Sequence, residues 1–212
     1  MEILLSKIIP VPIPGKDVIQ SEIWGRDIKI NTGDKILVYA GSGKGKTTFI
    51  NILTGSRKDY TGDLYLNGKN IRNFSLTEIA GLRKNKFSIV PQGLLLFPEL
   101  NVMENIQLKN KIQNYSSTEK IIRLLAILGL EGFESYKAGK LSYGQQQRVA
   151  IARALSQNFD FILLDEAFSH LDENNTKIAW DLILEEAEER KAGIIITSLQ
   201  DFEAVDFIKL RI

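Results

Sequence analysis

Cysteine is absent from the 212 residues. That excludes a disulfide framework and any thiolate metal site, and it is compatible with a reducing cytosol. Histidine occurs once, at His170. Proline occurs five times, and three of those are Pro10, Pro12 and Pro14. No apolar run approaches the roughly 20 residues that a membrane span needs. The start, Met1-Glu2-Ile3-Leu4-Leu5-Ser6-Lys7, lacks the basic beginning, apolar middle and cleavage site of a signal peptide. The expectation is a soluble, cytosolic chain whose membrane role, if any, needs a separate partner. Excess charge is missing too. Lys and Arg number 27 against 26 Asp and Glu, a net charge of +1. Nothing electrostatic calls for nucleic acid or an anionic membrane.

What is present is an ordinary globular composition, 44% apolar and 25% charged. It is organised around Tyr39-Ala40-Gly41-Ser42-Gly43-Lys44-Gly45-Lys46-Thr47-Thr48. Residues 35–39 read as a short buried strand, and 49–53 as the first turns of a helix. Strand, glycine-rich turn and helix is the setting of a phosphate-binding loop. Small residues let backbone N–H groups converge on an anion, and the helix N-terminus adds partial positive charge. Lys46 is placed to reach terminal phosphates, and Thr47 to ligate Mg²⁺. The strict pattern G-x-x-x-x-G-K-[ST] fails at its first position, which is Ala40. If that position needs φ > 0, alanine costs about 1 kcal/mol or more. If it lies in the β region, the change is harmless.

Strands alternating with helices after residue 35 predict an α/β fold with a parallel central sheet. Before that point the chain reads as β-rich. Residues 2–9, 19–24 and 27–30 look like strands, with an edge or loop at the three prolines. Residues 31–34 form a turn, and Asn67-Gly68 ends a strand that begins near 63. A short helix is expected over 77–84 and a buried strand over 87–90, stopped by Pro91. Gln92 follows, at a strand end where α/β ligands bind, although an ordinary loop residue fits as well.

From about 102 to 157 the chain turns helical. Ile121, Ile122, Leu124, Leu125 and Leu128 form one apolar face, with Gly129 as its stop. Ser142 then heads a helix, either as an N-cap or, with the amides near Gly144, as part of a second anion site. The apolar run 159–164 reads as a central strand ending in Asp165 and Glu166. Asp165 suits a Mg²⁺ shell, and Glu166 suits a base that polarises water. The plainer alternative is two helix-start acids. A helix is expected over 174–191, with Glu185, Glu186, Glu188 and Glu189 solvated, then a buried strand over 193–197.

Taken in order, these segments resemble the nucleotide-binding subunit of ABC transporters. The phosphate loop is 40–47, and Val90-Pro91-Gln92 is similar to the family's glutamine loop. Leu141-Ser142-Tyr143-Gly144-Gln145 resembles its signature, with Tyr143 where glycine is commonest. Residues 161–166 resemble its Walker B strand, and 169–172 its interface loop. The stretch 94–106 is similar to members serving lipoprotein release, macrolide export and cell division.

The resemblance implies a P-loop NTPase core, about 1–92 and 158–212, with an N-terminal antiparallel β subdomain. A helical subdomain is inserted at about 93–157. It implies nucleotide binding by Gly41, Ser42, Gly43, Lys44, Gly45, Lys46, Thr47 and Thr48, with Mg²⁺ at Thr47, Gln92 and Asp165 and Glu166 as catalytic base. Ser142, Tyr143, Gly144 and Gln145 would complete the site of a second copy or homologous subunit, with Asp172 at that interface. ATP would close the dimer, and hydrolysis would open it. The work would fall on an integral membrane permease, from the cytoplasmic face of the inner membrane.

Two further departures from the family stand out. Ser198 or Leu199 occupies the place of the switch histidine. Ile8, Ile9 and Pro10 occupy that of the aromatic ring that stacks on adenine. An alternative reading is therefore an ATP-dependent clamp with little hydrolysis. A soluble ABC ATPase acting on DNA is disfavoured, because no coiled-coil or metal-binding insertion is present.

Overall fold

In a computed structural model describing residues 1–201 and 206–212, the chain forms two sheets. The first is antiparallel, in the order β2-β1-β4-β5, with β1 Glu2–Pro10, β2 Asp27–Asn31, β4 Tyr60–Leu66 and β5 Lys69–Asn70. The second is parallel, in the order β6-β7-β8-β3-β9. Its strands are β3 Lys35–Tyr39, β6 Phe87–Val90, β7 Phe161–Asp165, β8 Gly193–Ser198 and β9 Ile208–Arg211. The helices are α1 Gly15–Gln20, α2 Lys46–Leu53, α3 Leu76–Asn85, α4 Val102–Gln113, α5 Thr118–Ile127, α6 Tyr143–Leu155 and α7 Glu173–Glu189.

The apolar strands are apolar throughout because each of their faces meets a different core. Ile162 and Leu164 of β7, Leu37 of β3 and Ile194 and Ile196 of β8 join a cluster with α4, α5, α6 and α7. Phe161 and Leu163, Ile36 and Val38, and Ile195 face the opposite way. There they pack with Phe49, Ile52 and Leu53 of α2 and with Ile3, Leu5 and Leu64 of the antiparallel sheet. Each such buried side chain contributes roughly 1.5–3 kcal/mol.

Parallel register aligns the strand ends. Tyr39 lies beside Ser198, Thr197 beside Asp165, and Leu164 beside Val90. One carboxyl edge of the sheet thus carries the starts of the phosphate loop, the Gln92 segment, Glu166 and the chain after Ser198.

Three sequence expectations are corrected. Residues 19–24 are not a strand. Pro14 and Gly15 start the short helix α1, and Ile19 is its most exposed apolar residue at 79%. The Ser21 hydroxyl then accepts the N–H groups of Ile23 and Trp24, turning the chain so that both are buried. On α5, Ile121, Leu124 and Leu125 are buried, but Ile122 is exposed. Glu186 is not solvated. It is buried, and it meets Arg190 and, at 2.9 Å, the Lys120 ammonium of α5. The sequence reading also left out β9, an edge strand held to β3 and tied to Glu22 through the Arg211 N–H.

Candidate phosphate-binding site

The loop after β3 is built on two left-handed glycines, Gly43 at φ +74° and Gly45 at φ +107°. Side chains rarely adopt that conformation. Ala40 is not left-handed, so the missing glycine carries no strain. Its N–H donates to the Ser198 carbonyl at 3.1 Å and continues the β3–β8 ladder. Behind the loop sits Trp24, fully buried, edge-on to Phe49. A Cβ on Gly45 would lie 3.5 Å from its ring.

Helices α3 to α7 each begin with a side chain that accepts an N–H of their first turn, from Ser75, Asn101, Ser117, Ser142 and Asp172 respectively. Helix α2 begins with Gly45 and has no such cap. Its first amides are left to a ligand, which suits an anion at the positive end of the helix. Gly41, Ser42 and Gly43 are exposed beside it.

Lys46 is 4% exposed and folds back over the loop. Its ammonium donates to the Ala40 carbonyl at 2.7 Å and the Gly41 carbonyl at 3.1 Å. It also lies 3.1 Å from Glu166 Oε1. The other Glu166 oxygen accepts from Gln92 Nε2 at 3.1 Å. Glu166 itself is left-handed, φ +51°, a conformation costing a non-glycine residue about 1–3 kcal/mol. Its N–H donates to Thr197, to both the carbonyl and the hydroxyl. The same Thr197 hydroxyl donates to Asp165 at 2.7 Å. One buried threonine thus holds the carboxylate of Asp165 and the backbone of Glu166.

Thr47, Gln92 and Asp165 line one groove of about 620 Å³. Thr47 Oγ1 lies 3.5 Å from Gln92 Oε1. A hydroxyl, an amide oxygen and a carboxylate form the hard oxygen set that Mg²⁺ prefers, so the donors fit that ion.

Two side chains of the expected nucleotide-binding set have partners within the chain. The Lys44 ammonium reaches Asp17 of α1 at 2.9 Å, and the Thr48 hydroxyl accepts from Arg57 at 3.1 Å. Ile8 and Pro10 are buried in the antiparallel sheet, so neither is open to a base. Burial there follows from an irregularity in β1 between Ser6 and Ile9, with Lys7 left-handed, that shifts the core-facing set from Ile3 and Leu5 to Ile8 and Pro10. Exposed Val11 is the next apolar residue along.

Ser142 is a cap: its hydroxyl accepts the Gln145 N–H, and the Gln145 side chain accepts the Ser142 N–H. Gly144 packs against the loop at 169–172, where an added Cβ would lie 3.0 Å from the His170 carbonyl. Asp172 caps α7 through Asn175, whose backbone and side-chain N–H bonds hold its carboxyl below the usual range. Ser198 ends β8, and Leu199 is exposed beside it. The His170 ring packs at a tilt against Tyr143 with centroids 4.3 Å apart and bonds to Ser169.

Thr197, Gln147 and Trp24 were not legible as site residues. Gln147 accepts the His170 N–H and donates weakly to the Glu166 carbonyl. In sequence, Thr197 is the end of an apolar strand and Gln147 a residue on a helix, with no local pattern to mark either.

Comparison with known proteins agrees with this geometry. The family described as ABC transporter matches residues 25–169. The lipoprotein-releasing system ATP-binding protein LolD of Buchnera aphidicola is 37% identical over 174 residues, 81% of this chain and 76% of that protein. The glycine betaine transport ATP-binding protein OpuAA of Bacillus subtilis is 36% identical over 149 residues. That match covers 69% of this chain but only 36% of OpuAA. A solved dimeric ATP-binding cassette, MJ0796, bound to ADP and Pi after hydrolysis, superposes with a TM-score of 0.80. It is 26% identical, with 98% of this chain and 94% of that one covered. A P-loop α/β architecture, an uncapped helix behind a glycine loop and these relatives place the chain in the ABC transporter ATP-binding family, a family of ATPases.

Proposed function

We propose that the chain binds and hydrolyses ATP, closes around it with a second copy or a homologous subunit, and drives or gates an integral membrane permease. The observation that carries this is the convergence of Lys46, Thr47, Gln92, Asp165 and Glu166 at one sheet edge. The loop amides and Lys46 hold the phosphates. Thr47, Gln92 and Asp165 are the groups that would hold Mg²⁺, which when bound neutralises phosphate charge. Glu166 takes the proton of the attacking water. Its left-handed backbone and the Thr197 bonds fix where that carboxylate points.

The Ser142 to Gln145 turn completes the partner's site, with Asp172 at the interface between copies. MJ0796 is dimeric with ADP and Pi bound, which supports this arrangement. The helices of 93–157 carry that turn as an inserted subdomain. The groove between α2, the Gln92 segment and α4 supports a docked partner. Leu95, Phe97, Leu108 and Ile112 expose apolar surface there. Lys109 and Arg153 also line it, and neither pairs with a carboxylate among the described residues. Burial, then Arg153 and Arg83, lower the Lys109 pKa. An apolar segment bearing an acid matches this surface. No helix among the described residues is long and apolar enough to cross a membrane. The proposed position, set by work on a permease, is peripheral, on the cytoplasmic face of the inner membrane.

A second reading, a clamp with slow turnover, is favoured by exposed Leu199 at the switch position and by His170 facing Ser169 and Tyr143. A single-turnover assay on the complex purified with its membrane partner separates the two. ATPase turnover in step with partner movement supports the first. ATP binding that moves the partner without phosphate release supports the second. Failure to bind ATP overturns both.

A further inference from the structure

Gln92 touches Thr47 through its side-chain oxygen and Glu166 through its side-chain nitrogen. Its backbone carbonyl is held by a third group: the Tyr143 hydroxyl, 3.3 Å away. Tyr143 is the first residue of α6, so this bond joins the N-terminus of that helix to the Gln92 segment of the same chain. The Tyr143 ring packs at a tilt against His170, whose backbone N–H is accepted by Gln147 on the next turn of α6. Gln147 in turn reaches the Glu166 carbonyl at 3.4 Å. The contacts close a circuit: Gln92, Tyr143, His170, Gln147, Glu166 and back to Gln92. A glycine at position 143 has neither ring nor hydroxyl and cannot close it.

We propose that Tyr143 is a positioning residue that fixes the Gln92 segment, and through it the Glu166 carboxylate, to the N-terminus of α6 and the loop at 169–172 of its own chain. The consequence for turnover rests on the ATPase reading above, whereas the physical link does not. Gln92 sits at the end of a segment with two consecutive left-handed residues, Leu94 and Leu95. The Arg153 guanidinium holds the carbonyls of that pair. Tyr143 supplies the tether on the Gln92 side.

Tyr143→Phe keeps the ring on His170 and removes only the hydroxyl. Amide hydrogen exchange on the full chain is the first measurement, because it needs no turnover. The expected result is faster exchange, by about threefold to tenfold, at 92–95 and in the first turn of α6. Exchange in β7 and β8 stays at the parent rate. Tyr143→Gly extends the loss of protection to 169–172, and His170→Phe, which keeps a ring for Tyr143 to pack against, causes less disruption than His170→Ala. ATP hydrolysis is the second measurement, with kcat falling in Tyr143→Phe by a similar factor while KM holds.

Unchanged exchange at 92–95 overturns the proposal, and so does a uniform rise across the sheet, which would mean a merely structural role. A parent chain without ATP turnover overturns the functional reading while exchange still decides the link. Local exchange that rises with kcat unchanged confines Tyr143 to the link and overturns its effect on Glu166.

Discussion

The Glu166 carboxylate lies 3.1 Å from the Lys46 ammonium, with the two side chains 11% and 4% exposed. Two opposite charges so placed are coupled through a medium of much lower dielectric than water. The lysine proposed to hold phosphate and the carboxylate proposed as the base therefore share one electrostatic site.

Replacing Glu166 by Gln keeps the shape and removes the base. Turnover is expected to fall by about 100-fold or more. ATP binding persists, so the ATP-bound dimer accumulates in size-exclusion chromatography with Mg²⁺ and ATP. Hydrolysis at the parent rate would remove Glu166 from the role of base.

Thr197→Val deletes the hydroxyl that Asp165 and the Glu166 N–H share. Asp165 is 2% exposed and loses this bond. Leaving a buried group unsatisfied costs about 1–3 kcal/mol, more for a charged one. Urea denaturation should show a lower midpoint, and the ATPase rate should fall with it. An unchanged midpoint would mean that water replaces the hydroxyl.

Gly193 starts β8 against Phe161, and a Cβ there would stand 2.2 and 2.5 Å from ring carbons. The Asp34 carbonyl, 3.2 Å away, blocks retreat on the other side. Gly193→Ala is expected to destabilise by about 3 kcal/mol, the upper part of the overpacking range. Gly68→Ala serves as the control, since its Cβ meets no atom within 4 Å and only its φ of +78° is strained. About 1 kcal/mol is expected there. Thermal melts of the two variants compare them directly.

Arg190 stacks between the rings of Tyr115 and Phe159 and pairs with buried Glu186. Arg190→Met removes one of the two cationic partners of a buried carboxylate and leaves it only Lys120, at an expected cost of about 2–3 kcal/mol, under the full penalty for a broken buried pair. Adding Glu186→Leu should recover much of that loss, because no buried carboxylate is then left short of a partner. A double-mutant cycle in guanidinium chloride measures the recovery, and none would mean that packing, not charge, sets the cost.

Glu78 closes the capping box of α3 and meets Lys69. The Lys69 ammonium first, then the Ser75 N–H and hydroxyl, pull its pKa from 4.5 to about 2. A depressed carboxylate stabilises the fold above its unfolded pKa. That contribution is lost as pH falls from 4.5 through about 2. Glu78→Gln should therefore show a shallower loss of melting temperature over that window. Parallel curves for variant and parent would remove Glu78 from the acid response.

The amino-acid sequence by itself determined the elements whose signals are local. The phosphate loop is legible because glycine, lysine and threonine at fixed offsets follow one short strand. The strands β3, β6, β7 and β8 are legible because both of their faces are apolar, and Ser142 because a cap is defined by its next three residues. Only the tertiary structure decided which of these act together. Gln92 and Glu166 are 74 residues apart, Tyr143 and Gln92 are 51, and Thr197 and Asp165 are 32. The order β6-β7-β8-β3-β9 brings their strand ends to one edge. Local patterning carries no record of that order, because it is set by which faces the helices and the antiparallel sheet cover. The same reason hid α1 and β9, whose places depend on contacts with distant β3 and the loop. It also hid the burial of Glu186, which a helix surface pattern alone marks as solvated.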